Sequence, residues 1–138
     1  MQALRYVGVY VLTFAVFIVV DLVWLSTVAL KFYGDNINKA ATMRVPPIWP
    51  VAIAFYLLYV AGVLIIVVLP AAHSGELWKA VVYGALLGLV AYATYDLTNW
   101  STLKDWPGIV SMVDMVWGTT LTTIVATSGY FIARWLGA

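Results

Sequence analysis

Apolar positions along this chain come in four unbroken runs, and the polar residues gather between them. The runs predict helical spans at about 6–30, 50–69, 80–103 and 109–133, each close to the roughly 20 residues that cross a hydrocarbon layer about 30 Å thick. Barrel strands would alternate polar and apolar over about ten residues, so the pattern predicts helices. The first run follows Arg5, lacks a small-residue cleavage motif and is too long for a signal-peptide core, so it reads as a retained span. Lys31 to Trp49, with Gly34, Asn36, Asn38, Pro46 and Pro47, reads as the one long loop. Pro50 stands at the tolerated first turn of span two, and Pro70 is expected to stop that span. Ser74, Gly75 and Glu76 form the next turn, Lys104 to Gly108 reverse the chain again, and Arg134 and Trp135 anchor the end of span four.

The expected fold is all-α: an integral membrane four-helix bundle forming a single transmembrane domain over residues 1–138. A 2+2 parallel internal repeat is suggested as well. Asp21-Leu-Val-Trp-Leu-Ser-Thr27 in span one parallels Asp96-Leu-Thr-Asn-Trp-Ser-Thr102 in span three, and spans two and four open with Trp49-Pro50 and Trp106-Pro107. Such a repeat would relate the halves by a pseudo-two-fold axis along the membrane normal.

Composition narrows the function classes. With 64% hydrophobic and 9% charged residues, a water-soluble fold is excluded and the lipid bilayer is the first partner. The absence of cysteine removes disulfides, iron–sulfur clusters and thiolate metal sites, and the single histidine, His73, removes bis-histidine haem. No cofactor is implied, and no metal either, because His73 and Glu76 in one exposed turn supply too few ligands. A net charge of +1 without a basic run gives no reason to expect nucleic acid. Arg5, Lys79 and Arg134 lie on the side of the termini, and Lys31, Lys39, Arg44 and Lys104 on the other, a balance that leaves orientation open.

The candidate chemistry is carboxylic. Asp21, Asp96 and Asp114 fall inside predicted spans, where each costs about 2.5 to 3.5 kcal/mol near the bilayer centre unless partnered or used. Spans one and three run parallel and span four enters from the leaflet in which they end, so the topology alone places all three in one leaflet, with Asp96 expected to be the most central. Helical spacing adds Tyr92, Tyr95, Thr98, Asn99 and Trp100 around Asp96, Trp24 beside Asp21, and Ser111, Trp117 and Gly118 around Asp114. Trp24, Trp100 and Trp117 are deep enough to wall a pocket, whereas Trp49, Trp78, Trp106 and Trp135 fall at the interfaces as belt residues. No basic residue lies within a span, so Lys104 or Arg44 would have to dip inward to neutralise the carboxylates. The hydroxyls of span four (Thr119, Thr120, Thr122, Thr123) line a wet path or bond back to their own helix, the commoner use. Gly84 and Gly88 form a GxxxG that permits close helix approach, within the bundle or in a homodimer.

The segments YDLTNWSTLKDWP, VDMVWG and VDLVWL, in a chain of this length, resemble the bacterial membrane family catalogued as domain of unknown function 2177. The resemblance covers essentially the whole chain. It implies a multi-pass protein of the bacterial inner membrane in which the aspartate–tryptophan motifs are the shared feature, and it implies no substrate. Three readings follow. The first is a small carrier or channel-like protein whose site for a proton, cation or small solute is built on the three aspartates. The second is an intramembrane enzyme acting on a lipid or isoprenoid, one aspartate serving as acid and another as base. The third is an accessory or structural subunit that clamps helices or holds a partner protein, quinone or pigment.

Overall fold

The computed structural model describes residues 1–37 and 47–138. Four helices are long and apolar enough to span a membrane: α1 (Gln2–Asn36), α2 (Trp49–Ser74), α3 (Leu77–Thr102) and α4 (Gly108–Leu136). Among the described residues helix is the only regular structure.

Two of these helices run further than patterning suggests. α1 does not stop at Lys31 but continues through Tyr33 and Asn36, because nothing in that stretch forbids a helix. Gly34 costs only about 1 kcal/mol relative to alanine, a penalty that packing overrides. Residues 38–46, including Lys39 and Arg44, lie outside the described residues. α2 likewise passes through Pro70. A π-helical turn at Leu64–Val68, closed by the Leu69 N–H on the Leu64 carbonyl, immediately precedes a resumed α-helix that has Pro70 in its first turn. A proline there has no N–H to leave unsatisfied, and the wider turn before it relieves the clash of its ring with the preceding carbonyls. α2 then ends at Gly75, whose φ of 72° allows the left-handed cap that Ala71 and Ala72 carbonyls accept from.

A second π-helical turn, Leu25–Ala29, lies in α1. Upstream of it the buried residues are Val9, Thr13, Phe17 and Asp21, a four-residue spacing. Each such step overshoots a full α-helical turn by about 40°, so the stripe winds away from the bundle as it rises. The wider turn takes up the drift, and Ala29 is buried beyond it. Ser26 and Thr27 hydroxyls both bond to the Val23 carbonyl at its entrance.

The helices pack unequally. α3 and α4 make the closest pair, since a Cβ added to Gly88 would stand 2.5 Å from the Gly118 carbonyl oxygen and 2.7 Å from Thr122 Cβ. One added to Gly84 would stand 2.8 Å from the Cβ of Ala126. The GxxxG face is therefore used inside the bundle. Val9, Phe17, Val60, Val63, Val68, Leu121 and Val125 form a dry core in the half of the bundle nearer the chain termini. At that end Arg5 donates to the Gly137 carbonyl at 3.0 Å and Arg134 to that of Ala72 at 3.4 Å, placing cations on the negative ends of α4 and α2. The opposite half holds the aspartates.

Candidate functional site

The site is assembled from the late part of α1, the early part of α2, the late part of α3 and the early part of α4. Asp96 of α3 is fully buried, Asp21 of α1 is 8% exposed and Asp114 of α4 is half-buried. The Asp96 carboxyl lies within hydrogen-bonding reach of the Asp114 carboxyl, and Asp114 is also the charged neighbour of Asp21. Among the described residues neither side-chain oxygen of Asp96 meets a donor. Two ionised carboxylates offer only acceptors to each other, so the contact becomes attractive only when a proton or a cation stands between them.

Of the other two aspartates, Asp114 has a donor and Asp21 has potential donors beside it. The Tyr33 hydroxyl donates to Asp114 Oδ1 at 2.8 Å. The Trp117 indole and the Tyr56 hydroxyl approach the Asp21 carboxylate. Trp117 also stacks on Trp24, with ring centroids 4.4 Å apart and planes 5° from parallel, while Trp24 lies 6.4 Å from the Tyr33 ring. These rings close the α1–α4 side of the site.

Asp96 is positioned through its backbone. Trp106, in the turn between α3 and α4, is buried rather than part of an interfacial belt, and its N–H donates to Ser111 Oγ at 2.9 Å. The Ser111 hydroxyl donates in turn to the Asp96 carbonyl at 2.7 Å. The relay ties the last turns of α3 to the first turn of α4. Trp49, Trp78 and Trp135 are exposed at the ends of their helices.

A cavity of 340 Å³ adjoins the carboxyls, lined by Phe55 and Tyr59 of α2, Ala91, Tyr92 and Tyr95 of α3, and Asp114 of α4. Tyr92 can lie flat against α4 because Gly118 has no side chain; a Cβ there would overlap the Tyr92 ring. The Tyr59 hydroxyl is engaged with Thr122 Oγ1 at 2.6 Å, which turns its ring into a wall.

Not every residue near Asp96 in sequence is near it in space. Asn99 is half-buried beside Tyr95. Thr98 is exposed, bonding to the Thr94 and Tyr95 carbonyls of its own helix, and Trp100 is 46% exposed and packs over Gly108 on the outer face. Thr119, Thr120 and Thr123 bond to carbonyls four residues back, so these hydroxyls line no path. Lys104 is exposed, and among the described residues the only ion pair is Glu76–Lys79, remote from the aspartates. Tyr33, Tyr56 and Tyr59 are the residues around the carboxyls that patterning passes over. For Tyr56 and Tyr59 the usable signal was that tyrosines are the only polar groups of span two.

Fold and site together define an integral membrane four-helix bundle with a carboxyl cluster buried in one half. The chain belongs to the family described as predicted membrane protein (DUF2177), whose sequence profile matches residues 6–131. No curated protein and no solved structure matches it.

Proposed function

We propose that the protein is a small carrier of the bacterial inner membrane that exchanges a proton for a cation at the Asp96–Asp114 pair. One observation carries this reading: Asp96 is fully buried, faces a second carboxyl, and finds no donor among the described residues. A structural clamp would satisfy its buried carboxylate, since an unsatisfied one costs about 1 to 3 kcal/mol or more. A group that must be neutralised by a mobile charge is instead suited to alternate between proton and cation. Asp114 supplies the second carboxyl and Tyr33 holds it in place. Asp21, with the Trp117 indole and the Tyr56 hydroxyl beside it, completes the negative field on the α1 side.

The test is proton movement in liposomes. Purified protein is reconstituted with a pH-sensitive dye inside, and an inward cation gradient is imposed. Wild-type protein is expected to release protons from the lumen, Asp96→Asn to abolish the signal, and Lys104→Ala to leave it unchanged. Wild-type vesicles indistinguishable from Asp96→Asn vesicles would end the carrier reading.

The exposure of Phe55 and Tyr95, both in the cavity lining and on membrane-spanning helices, favours a second reading, an intramembrane enzyme acting on a lipid or isoprenoid, with Asp96 and Asp114 dividing the roles of acid and base. That reading predicts a changed lipid profile on deletion and on overexpression. An unchanged profile in both would remove it.

A further inference from the structure

The cavity says more about the cargo than the carboxyls do. It lies about 9 to 16 Å from the helix ends that bound it, counting along α2, α3 and α4 at 1.5 Å per residue, which is hydrocarbon depth rather than headgroup depth. Phe55 and Tyr95, 47% and 55% exposed, stand at its rim, so it opens sideways between α2 and α3. A solute reaches it through the acyl chains.

Its lining has the composition of a cage for a weakly hydrated cation. Phe55, Tyr59, Tyr92 and Tyr95 contribute rings, Ala91 one methyl group, and Asp114 the carboxylate. The Phe55 and Tyr59 rings lie 5.5 Å apart and tilted, and those of Tyr59 and Tyr92 6.2 Å apart and nearly perpendicular, so both faces and edges bound the space. Ring faces attract a cation through their quadrupole, most strongly when water is excluded. A metal ion is poorly served here. Calcium needs six to eight oxygen ligands and magnesium an octahedron, whereas the lining offers one carboxylate and the phenol oxygens, of which that of Tyr59 already bonds to Thr122. At 340 Å³ the space falls in the range of about 300 to 1,000 Å³ typical of sites for small organic molecules. Next to Asp114 is Asp96, fully buried and without a donor among the described residues, a second carboxyl for which nothing in the lining compensates.

We infer that the cavity binds a lipophilic monovalent organic cation that enters sideways from the membrane, with Asp114 as counter-charge and the Phe55, Tyr59, Tyr92 and Tyr95 rings as the cage. The inference rests on the carrier reading and specifies its cargo. On binding, the cation takes the place of the proton shared by Asp96 and Asp114, and that proton leaves to the aqueous phase. No covalent bond is made or broken in the organic ligand.

The full-length protein in detergent micelles is titrated with benzyltrimethylammonium by calorimetry, and proton release is followed in weak buffer with a pH dye. Its neutral carbon isostere, neopentylbenzene, and sodium chloride serve as controls. Saturable binding of the cation is expected, with up to one proton released per cation. Asp114→Asn should weaken it by at least about tenfold. Phe55→Leu, at an exposed rim position, should weaken it about two- to fivefold without changing the circular dichroism melt. Equal binding of neopentylbenzene, or undiminished binding to Asp114→Asn, would reduce the cavity to an apolar gap and overturn the inference. Proton exchange with sodium in liposomes, without binding of the organic cation, would overturn the inference and leave the carrier reading standing. Binding of the cation without proton movement in liposomes would do the reverse.

Discussion

Replacement of Asp96 by asparagine separates a working site from a structural clamp through stability alone. The side chain is fully buried, its two oxygens meet no donor among the described residues, and the Asp114 carboxyl is beside it. Asparagine keeps the shape, removes an acceptor-only group from an acceptor-only neighbour, and brings an N–H that can donate to Asp114. Relief of an unsatisfied buried group is worth about 1 to 3 kcal/mol, so the variant should be as stable as the parent or more stable by up to about 2 kcal/mol. Leucine at the same position gains a similar amount but adds volume where there is none to spare, at a cost of about 1 to 3 kcal/mol, and should come out near zero. Had Asp96 been held by a full set of hydrogen bonds, breaking them would cost about 3 to 5 kcal/mol. The assay is equilibrium unfolding in mixed micelles of increasing sodium dodecyl sulfate fraction, monitored by helical circular dichroism at neutral pH. A loss of about 3 kcal/mol or more for Asp96→Asn would refute the reasoning, because it would require partners that the carboxyl does not have among the described residues.

Gly88→Leu should destabilise the bundle by about 1 to 3 kcal/mol or more, since its Cβ alone already meets Gly118 backbone and Thr122; an unaltered unfolding curve would contradict the close α3–α4 contact. Ser111→Ala breaks the relay from Trp106 to the Asp96 carbonyl and should cost about 1 to 3 kcal/mol through the stranded indole N–H. The same variant should shift tryptophan emission as Trp106 loosens, and an unshifted spectrum would count against the relay. Tyr33→Phe removes the donor to Asp114 and is expected to leave the helices intact while altering the pH dependence of proton exchange in liposomes; an unchanged profile would exclude Tyr33 from the site. At the surface, the Lys79 ammonium holds the Glu76 carboxyl below its usual value of 4.5. The sign is that of a depressed acid: the pair's contribution is present above the ordinary carboxylate range and is lost as pH falls through the lowered value. The contribution is small and salt-screened because the pair is exposed. Carbon-13 titration of the Glu76 carboxyl should return to the ordinary range in Lys79→Met, and an unmoved midpoint would deny the pairing.

Much of the architecture was legible along the chain because the bilayer imposes a one-dimensional constraint. Four apolar runs of membrane length leave backbone groups no partner except within the same helix, so helices follow from composition and length alone. Topology then follows by counting crossings: the ends of α1 and α3 and the start of α4 share one leaflet, which is why Asp21, Asp96 and Asp114 belong to one half of the molecule whatever their rotamers. Helix ends were less legible. Pro70 is a stop signal in sequence, and only the π turn before it, maintained by packing, carries α2 onward to Ser74. In α1 the helix extends past Lys31 to bring Tyr33 to Asp114, a contact between residues far apart in sequence that no local pattern encodes.

Which residues actually meet was decided by rotation of each helix about its axis, and that is a tertiary property. Thr98 and Trp100 sit about one turn from Asp96, yet Thr98 is exposed with its hydroxyl bonded to its own helix and Trp100 packs on the outer face, because α3 turns Gly84, Gly88, Tyr92 and Asp96 into the bundle and these two outward. Trp106 looks like an interfacial residue by position and is buried because Ser111 offers its indole an acceptor. Tyr59 of the most apolar span and Tyr92 of α3 become cavity walls because Thr122 and Gly118 on α4 receive a hydroxyl and a ring, respectively. Sequence determines that carboxyls enter the membrane and at what depth, since those depend only on hydropathy and rise per residue. The tertiary structure alone decides that Asp96 faces Asp114 without a donor among the described residues, since helix rotation and close approach are set by the mutual packing of glycines, rings and hydroxyls on separate helices.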